Sequence, residues 1–172
     1  GGGIKNFKNA KELFDNGADK VAINTGAVKS PIILKKISEF YGRQAVVLQI
    51  DCKKNSENQW EVYTDYGRQK TGIDVFKWAE KALKMGVGEI IATAIDKDGK
   101  QSGLDYDLYK KLSSNFDIPI IACGGAGNFK DVNEIFKIKN ITAICISSIF
   151  HYNLISPDKL KKKLKINGIS LR

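Results

Sequence analysis

The chain is poor in the residues that most readily reveal a mechanism. Of its 172 residues only three are cysteine and one is histidine. Cys52, Cys123 and Cys145 are an odd number, include no Cys-x-x-Cys pair and are too few for a disulfide scaffold, so the simple reading is a reducing cytoplasm. His151 has no Cys or His partner at metal-ligand spacing, and the carboxylates of Asp96-Lys97-Asp98-Gly99 do not continue into a calcium-loop pattern. No metal site is predicted. No Gly-x-Gly-x-x-Gly opens a helix, which weakens the dinucleotide-binding version of an α/β fold; no cofactor is predicted. Long apolar runs are missing too, so no helix can cross a bilayer. Gly1-Gly2-Gly3-Ile4 reads as a loop, with neither the basic nor the apolar region of a secretory signal.

What is present is ordinary for a globular chain: 42% hydrophobic and 27% charged residues, with 28 Lys plus Arg against 19 Asp plus Glu for a net charge of +9. A single domain over residues 1–172 is the default at this length. The one dense basic run, Lys159–Lys165, follows Ser156-Pro157, an N-cap with proline at the first helical position. It reads as the solvated face of a terminal helix rather than a nucleic-acid surface, and no membrane partner is predicted.

Helical and strand patterns alternate along the chain. Apolar spacing predicts helices over residues 6–16, 31–41, 73–85, 105–115, 130–138 and 157–164. Short, continuously apolar strands are predicted over 20–25, 45–51, 89–94, 118–122 and 141–147, with 59–64 as one arm of a hairpin turning near Tyr66-Gly67. Continuous apolar strands between helices are buried on both faces, the pattern of parallel βα units with right-handed crossovers. Five such strands suit a doubly wound sheet or part of an eight-stranded (βα)8 TIM barrel.

An internal repeat narrows this. Gly2–Phe14 aligns without a gap on Gly124–Phe136, sharing both glycines, the Asn, the Phe, the Lys, the Glu and the closing Phe. One extra residue then brings Ile23-Asn24-Thr25 onto Ile146-Ser147-Ser148. Each copy is a glycine pair, a helix, a strand and a small polar pair at the strand's end. Glycines there let backbone N–H groups approach an anion, and a hydroxyl beside a helix start adds a donor. A phosphate site of this kind belongs to the last βα loops of a barrel. Twice over, it predicts a long substrate with a phosphate at each end. The spacing of the copies, doubled, gives roughly 240 residues, near the ~250 of a complete barrel. The expectation is therefore a (βα)8 barrel represented by about five parallel strands, the C-terminal two-thirds, from the third βα loop to the last helix.

Strand ends supply the chemistry. Val46–Asp51 is an apolar run closed by a carboxylate, and period-2 alternation puts Val47, Gln49 and Asp51 on one face. An Asp at the top of a barrel strand faces the mouth, where it can serve as general acid or base. Asp98 beside Gly99 suits a substrate-orienting loop. Lys20 and Glu89 sit at strand starts, where charges usually form a solvated rim.

These landmarks resemble the cyclase subunit of imidazole glycerol phosphate synthase, of histidine biosynthesis. The likeness runs through Gly1–Ile4, Gly17–Thr25, Ile50-Asp51, Glu61–Thr64, Thr71-Gly72, Asp96–Gly99, Gly124–Gly127 and Ser148–His151. The related sugar isomerase of that pathway matches less well at Glu61–Thr64 and Ser148–His151. The resemblance implies a barrel paired with a glutamine amidotransferase subunit, whose ammonia passes through it to a bisphosphorylated substrate. That substrate is cleaved and its imidazole ring closed, giving imidazole glycerol phosphate and aminoimidazole carboxamide ribotide. It implies Asp51 as one of two catalytic carboxylates. Gly2, Gly3, Asn24 and Thr25 would hold one phosphate, and Gly124, Gly125, Ser147 and Ser148 the other. Asp98 and Gly99 would orient the middle, and Lys20 and Glu89 would ring the ammonia entrance at the partner interface. The second catalytic Asp belongs to a first strand absent from these residues, which predicts no cyclisation by residues 1–172 alone. Cys123, Gln49 and Tyr66 depart from the family pattern. They leave room for a relative serving a sugar amidotransferase, or for a non-catalytic phosphate-binding fragment.

Overall fold

The computed structural model describes residues 1–171, and their backbone groups into two units, Gly1–Thr93 and Ala94 onward. Both are built of βα repeats, in agreement with the α/β class read from the sequence.

In the first unit α1 (Phe7–Asp15) is started by Asn6, whose side chain accepts from the Asn9 N–H. It packs by Phe14 against Tyr41 of α3 (Ile32–Tyr41), ring centroids 4.0 Å apart. Between them lie β1 (Val21–Ile23) and the short α2 (Thr25–Lys29). β2 (Val46–Lys54) runs parallel to β1 with Val21 opposite Val46. It then pairs antiparallel with β3 (Trp60–Thr64), placing Asp51 opposite Tyr63. β4 (Gln69–Asp74) completes the hairpin. Along β2 the buried Leu48 and Ile50 alternate with the half-buried Gln49 and Asp51, as the period-2 reading requires.

α4 (Val75–Lys84) begins two residues later than predicted, because Ile73 and Asp74 belong to β4. Asp74 accepts from the Phe76 and Lys77 N–H groups, so the carboxylate read as part of the helix is its cap. β5 (Glu89–Ala94) follows beside β2, with the Gly88 N–H donating to the Val46 carbonyl at 3.1 Å. Leu34, Ile37, Leu48, Ile50 and Ile90 form the buried core.

In the second unit α5 (Tyr106–Asn115) is capped by Asp105. β6 (Ile120–Cys123) and β7 (Ile141–Cys145) pair in parallel, with α6 (Phe129–Ile135) between them. Leu108, Tyr109, Leu112, Ile120, Ile135 and Ile149 are fully buried. The hydroxyl of Tyr109 donates to the Cys123 carbonyl at 2.7 Å and accepts from the Cys123 N–H at 3.0 Å, tying the end of β6 to α5. The short α7 (Ser148–His151) and α8 (Pro157–Ile166) close the chain, the latter started by Ser156 and Pro157 as predicted. No helix among the described residues is long and apolar enough to cross a membrane.

Candidate active site

The repeat seen in the sequence is repeated in the backbone. Gly2 and Gly3 have φ of 86° and 68°, and Gly124 and Gly125 of 94° and 99°, all in the left-handed region that glycine adopts without strain. Asn6 (φ −152°, ψ 172°) and Asn128 (φ −157°, ψ 175°) cap the following helices in the same way. The third helical residue answers in both copies. Asn9 Oδ1 accepts from the Lys5 N–H at 3.3 Å, and Asp131 Oδ2 accepts from the Gly127 N–H at 2.9 Å. Each strand then runs into a short helix, α2 or α7, that hydrophobic periodicity missed because neither is long enough to show a period.

The first copy opens on a cleft of about 610 Å³ lined by Gly2, Gly3, Asn24, Thr25, Gln49 and Asp51. Gly26, absent from the sequence-based set, closes its floor. A Cβ there would lie 2.1 Å from the Ile4 carbonyl oxygen, so only glycine lets the turn rest on α2. Lys5 and Lys29 also line the cleft and supply positive charge that the sequence did not point out. Lys29 is held 3.5 Å from Asp65, whose own N–H donates to Thr25 Oγ1 at 2.9 Å. The Thr25 hydroxyl hydrogen is left to point elsewhere.

Asp51 is the most strongly organised group in this cleft. Its Oδ2 accepts from Asn24 Nδ2 and its Oδ1 from Gln49 Nε2, both at 3.0 Å. Gln49 spends its second hydrogen on Thr93 Oγ1 at 3.0 Å, and Asn24 its second on the Tyr63 carbonyl at 3.0 Å. Both Asn24 amide hydrogens are thereby committed, so its side chain has no donor left for a phosphate. Its buried Oδ1 has no partner and would suit an incoming N–H.

Lys20 and Glu89 meet at 2.7 Å where β1 and β5 begin. The general reading of strand-start charges as solvated rim fails for Glu89, which is 9% exposed. The Lys20 ammonium, half exposed, compensates it; a buried carboxylate needs such a partner.

The second copy opens on a cleft of about 180 Å³ lined by Asp98, Cys123, Gly124, Gly125, Ser147 and Ser148. A Cβ on Gly124 would lie 2.7 Å from the Ala94 carbonyl oxygen, and the Gly125 carbonyl accepts from the Gly103 N–H at 2.9 Å. Gly99 does not line this cleft. It lies in the turn after β5, where the Lys97 and Asp98 N–H groups both reach the Ala94 carbonyl at 3.0 Å. Cys145, opposite Cys123 in register, also lines the cleft, and the hydrogen bond from Cys123 brings its thiol down to about 7 against the opposing effect of burial. No cluster of three or more metal-ligating side chains occurs among the described residues, and His151 is exposed, its ring edge-on to Tyr152.

Paired glycine turns followed by polar strand ends, with an organised carboxylate on β2 three residues before its end, define an α/β protein of duplicated βα repeats. Within that class the chain belongs to the histidine biosynthesis protein family, whose model matches residues 1–156. It is 42% identical over its whole length to the imidazole glycerol phosphate synthase subunit HisF of Streptococcus mutans, covering 68% of that relative. Identity is 43% to the same-named subunit of Dictyoglomus thermophilum, again over all of this chain and 68% of the relative. For the subunit of Nitrosopumilus maritimus it is 40%, over 100% of this chain and 70% of the relative.

Proposed function

We propose that this chain carries the cyclase chemistry of imidazole glycerol phosphate synthase as part of a cytoplasmic (βα)8 barrel. Ammonia released by a glutaminase subunit attacks a bisphosphorylated aminoimidazole carboxamide ribonucleotide, the bond to the carboxamide portion breaks and an imidazole ring closes. The observation that carries this reading is the duplicated turn with its matched backbone angles, the first copy of which shares its cleft with an organised carboxylate.

The geometry supports the following roles. Gly2, Gly3 and Thr25, with the ammonium groups of Lys5 and Lys29, receive one phosphate. Gly124, Gly125, Ser147 and Ser148 receive the other, and Asp98 orients the substrate beside them. Asp51 has an amide donor on each oxygen, and the two together fix the orientation of its carboxylate in the cleft. It takes the proton that the attacking nitrogen must lose and returns one to the departing group. Asn24 serves Asp51, and its unpaired Oδ1 receives an N–H of the ammonia or of the substrate. Gln49 braces the other oxygen and, through Thr93, narrows the route beneath it. The Lys20–Glu89 pair, at the opposite end of the strands from Asp51, forms the gate facing the glutaminase.

Replacing Asp51 by Asn in the full-length protein tests the central assignment. Ammonia-dependent turnover should fall by about 10²-fold or more, with substrate still bound, as general acid–base groups contribute on that scale. Unchanged turnover removes Asp51 from the mechanism. Binding of a bisphosphate should be lost when either Gly3 or Gly125 is changed, and loss at only one of them rejects the paired-phosphate reading.

A further inference from the structure

The second cleft holds two thiols that the cyclase chemistry does not use. Cys123 and Cys145 end neighbouring parallel strands and are register partners, so their side chains leave the same face of the pair. Parallel neighbours lie about 4.8 Å apart, inside the roughly 4.4–6.8 Å over which Cα atoms accept a disulfide. Both residues line the cleft with Gly124, Gly125, Ser147 and Ser148. Cys52 differs on each count: it is fully buried, lies outside this cleft and donates to the Thr93 carbonyl at 3.5 Å.

We propose that Cys123 and Cys145 form a peroxide-sensitive dithiol whose closure to a disulfide shuts the second phosphate site. The Cys145 thiolate attacks one oxygen of hydrogen peroxide. The O–O bond breaks, the departing hydroxide takes a proton to become water, and Cys145 is left as a sulfenic acid. Cys123 then loses its proton as its sulfur attacks that of Cys145. The S–S bond forms, the S–O bond breaks and the hydroxide leaves as a second water. Two thiols are oxidised by two electrons and one peroxide is reduced to two waters. The low position of the Cys145 thiol supplies the attacking thiolate near neutral pH. Drawing the two sulfurs together tightens the strand ends that carry Gly124 and Ser147, which narrows the small cleft between them.

The gating part rests on the proposed phosphate reading, and the test separates the two. The full-length protein is treated with stoichiometric hydrogen peroxide and its disulfides mapped by peptide mass spectrometry. Inorganic phosphate binding is measured before oxidation, after it and after dithiothreitol. A Cys123–Cys145 bridge that lowers phosphate affinity by about tenfold, and is reversed by dithiothreitol, supports the proposal. Cys145→Ser should neither bridge nor lose phosphate affinity under peroxide, while Cys52→Ser should behave as the unmodified protein. Oxidation of Cys145 to sulfinic or sulfonic acid without a bridge overturns the dithiol, as does continued alkylation of both thiols. A bridge that leaves phosphate affinity unchanged overturns the gate. Should the reduced protein fail to bind phosphate at all, the gate falls with the phosphate reading, and mapping the bridge still decides the dithiol.

Discussion

The two copies of the glycine turn share their backbone and differ in nearly everything attached to it. The first surrounds a roomy cleft with two amides, two carboxylates and two lysines, and its polar groups form a connected network through Asn24, Asp51, Gln49 and Thr93. The second is about a third of the volume, at about 180 Å³ against about 610 Å³, and offers hydroxyls, thiols and one aspartate. The same glycine turn thus lies among hydroxyls and thiols in one place and beside an organised carboxylate in the other. The backbone is what an anion needs; the added side chains are what a reaction needs.

The comparison is most exposed to a single substitution in the first cleft. Asp51→Asn should lower the rate constant by about 10²-fold or more, whereas Ser148→Ala should act mainly on KM. Equal effects on the rate constant from both would erase the distinction between reacting and anchoring halves. Next in size is Cys145 reactivity. Alkylation should rise across a midpoint near pH 7, because the thiolate appears as the proton leaves. Cys123→Ala removes the donor that favours the thiolate, so the midpoint should move up and neutral-pH alkylation fall by roughly tenfold. Gly124→Ala should lower stability by about 1–3 kcal/mol in thermal or denaturant unfolding, since its φ is left-handed and its Cβ would press on the Ala94 carbonyl. Gln49→Leu leaves Asp51 with one amide partner, and turnover should fall by about tenfold with little change in KM. Smallest is Lys20→Ala, which leaves Glu89 buried without its cation. Half exposure of the lysine limits the expected loss to about 1 kcal/mol, with glutamine-dependent turnover more affected than ammonia-dependent turnover.

Much of the fold was legible before any coordinates. β5 was predicted to the residue, and Ser156 caps α8 as its place before Pro157 predicts, whereas Asn6, read as helical, and Asn128, left outside the predicted helix, are caps too. The face shared by Gln49 and Asp51 followed from alternation alone. The start of α4 was misread because Ile73 fits both a helical face and the end of β4, and only the pairing of the hairpin decides between them. The short α2 and α7 carried no periodic signal. Gly26, Lys5 and Lys29 were missed because a glycine or lysine looks the same in sequence whether or not a distant carbonyl or a cleft lies beside it.

Chain order by itself therefore determined the alternation of βα units, the duplicated turn and the face of β2 that carries Asp51, since all three are local periodicities of side-chain character; that β2 runs on past Asp51 to Lys54 was not legible. Tertiary structure alone decided that Asn24 and Gln49 hold Asp51, that Glu89 is buried against Lys20, and that Cys123 lies opposite Cys145. Those pairings depend on strand register, which joins residues far apart in the chain, and a register set by the packing of whole faces is not written at any one position.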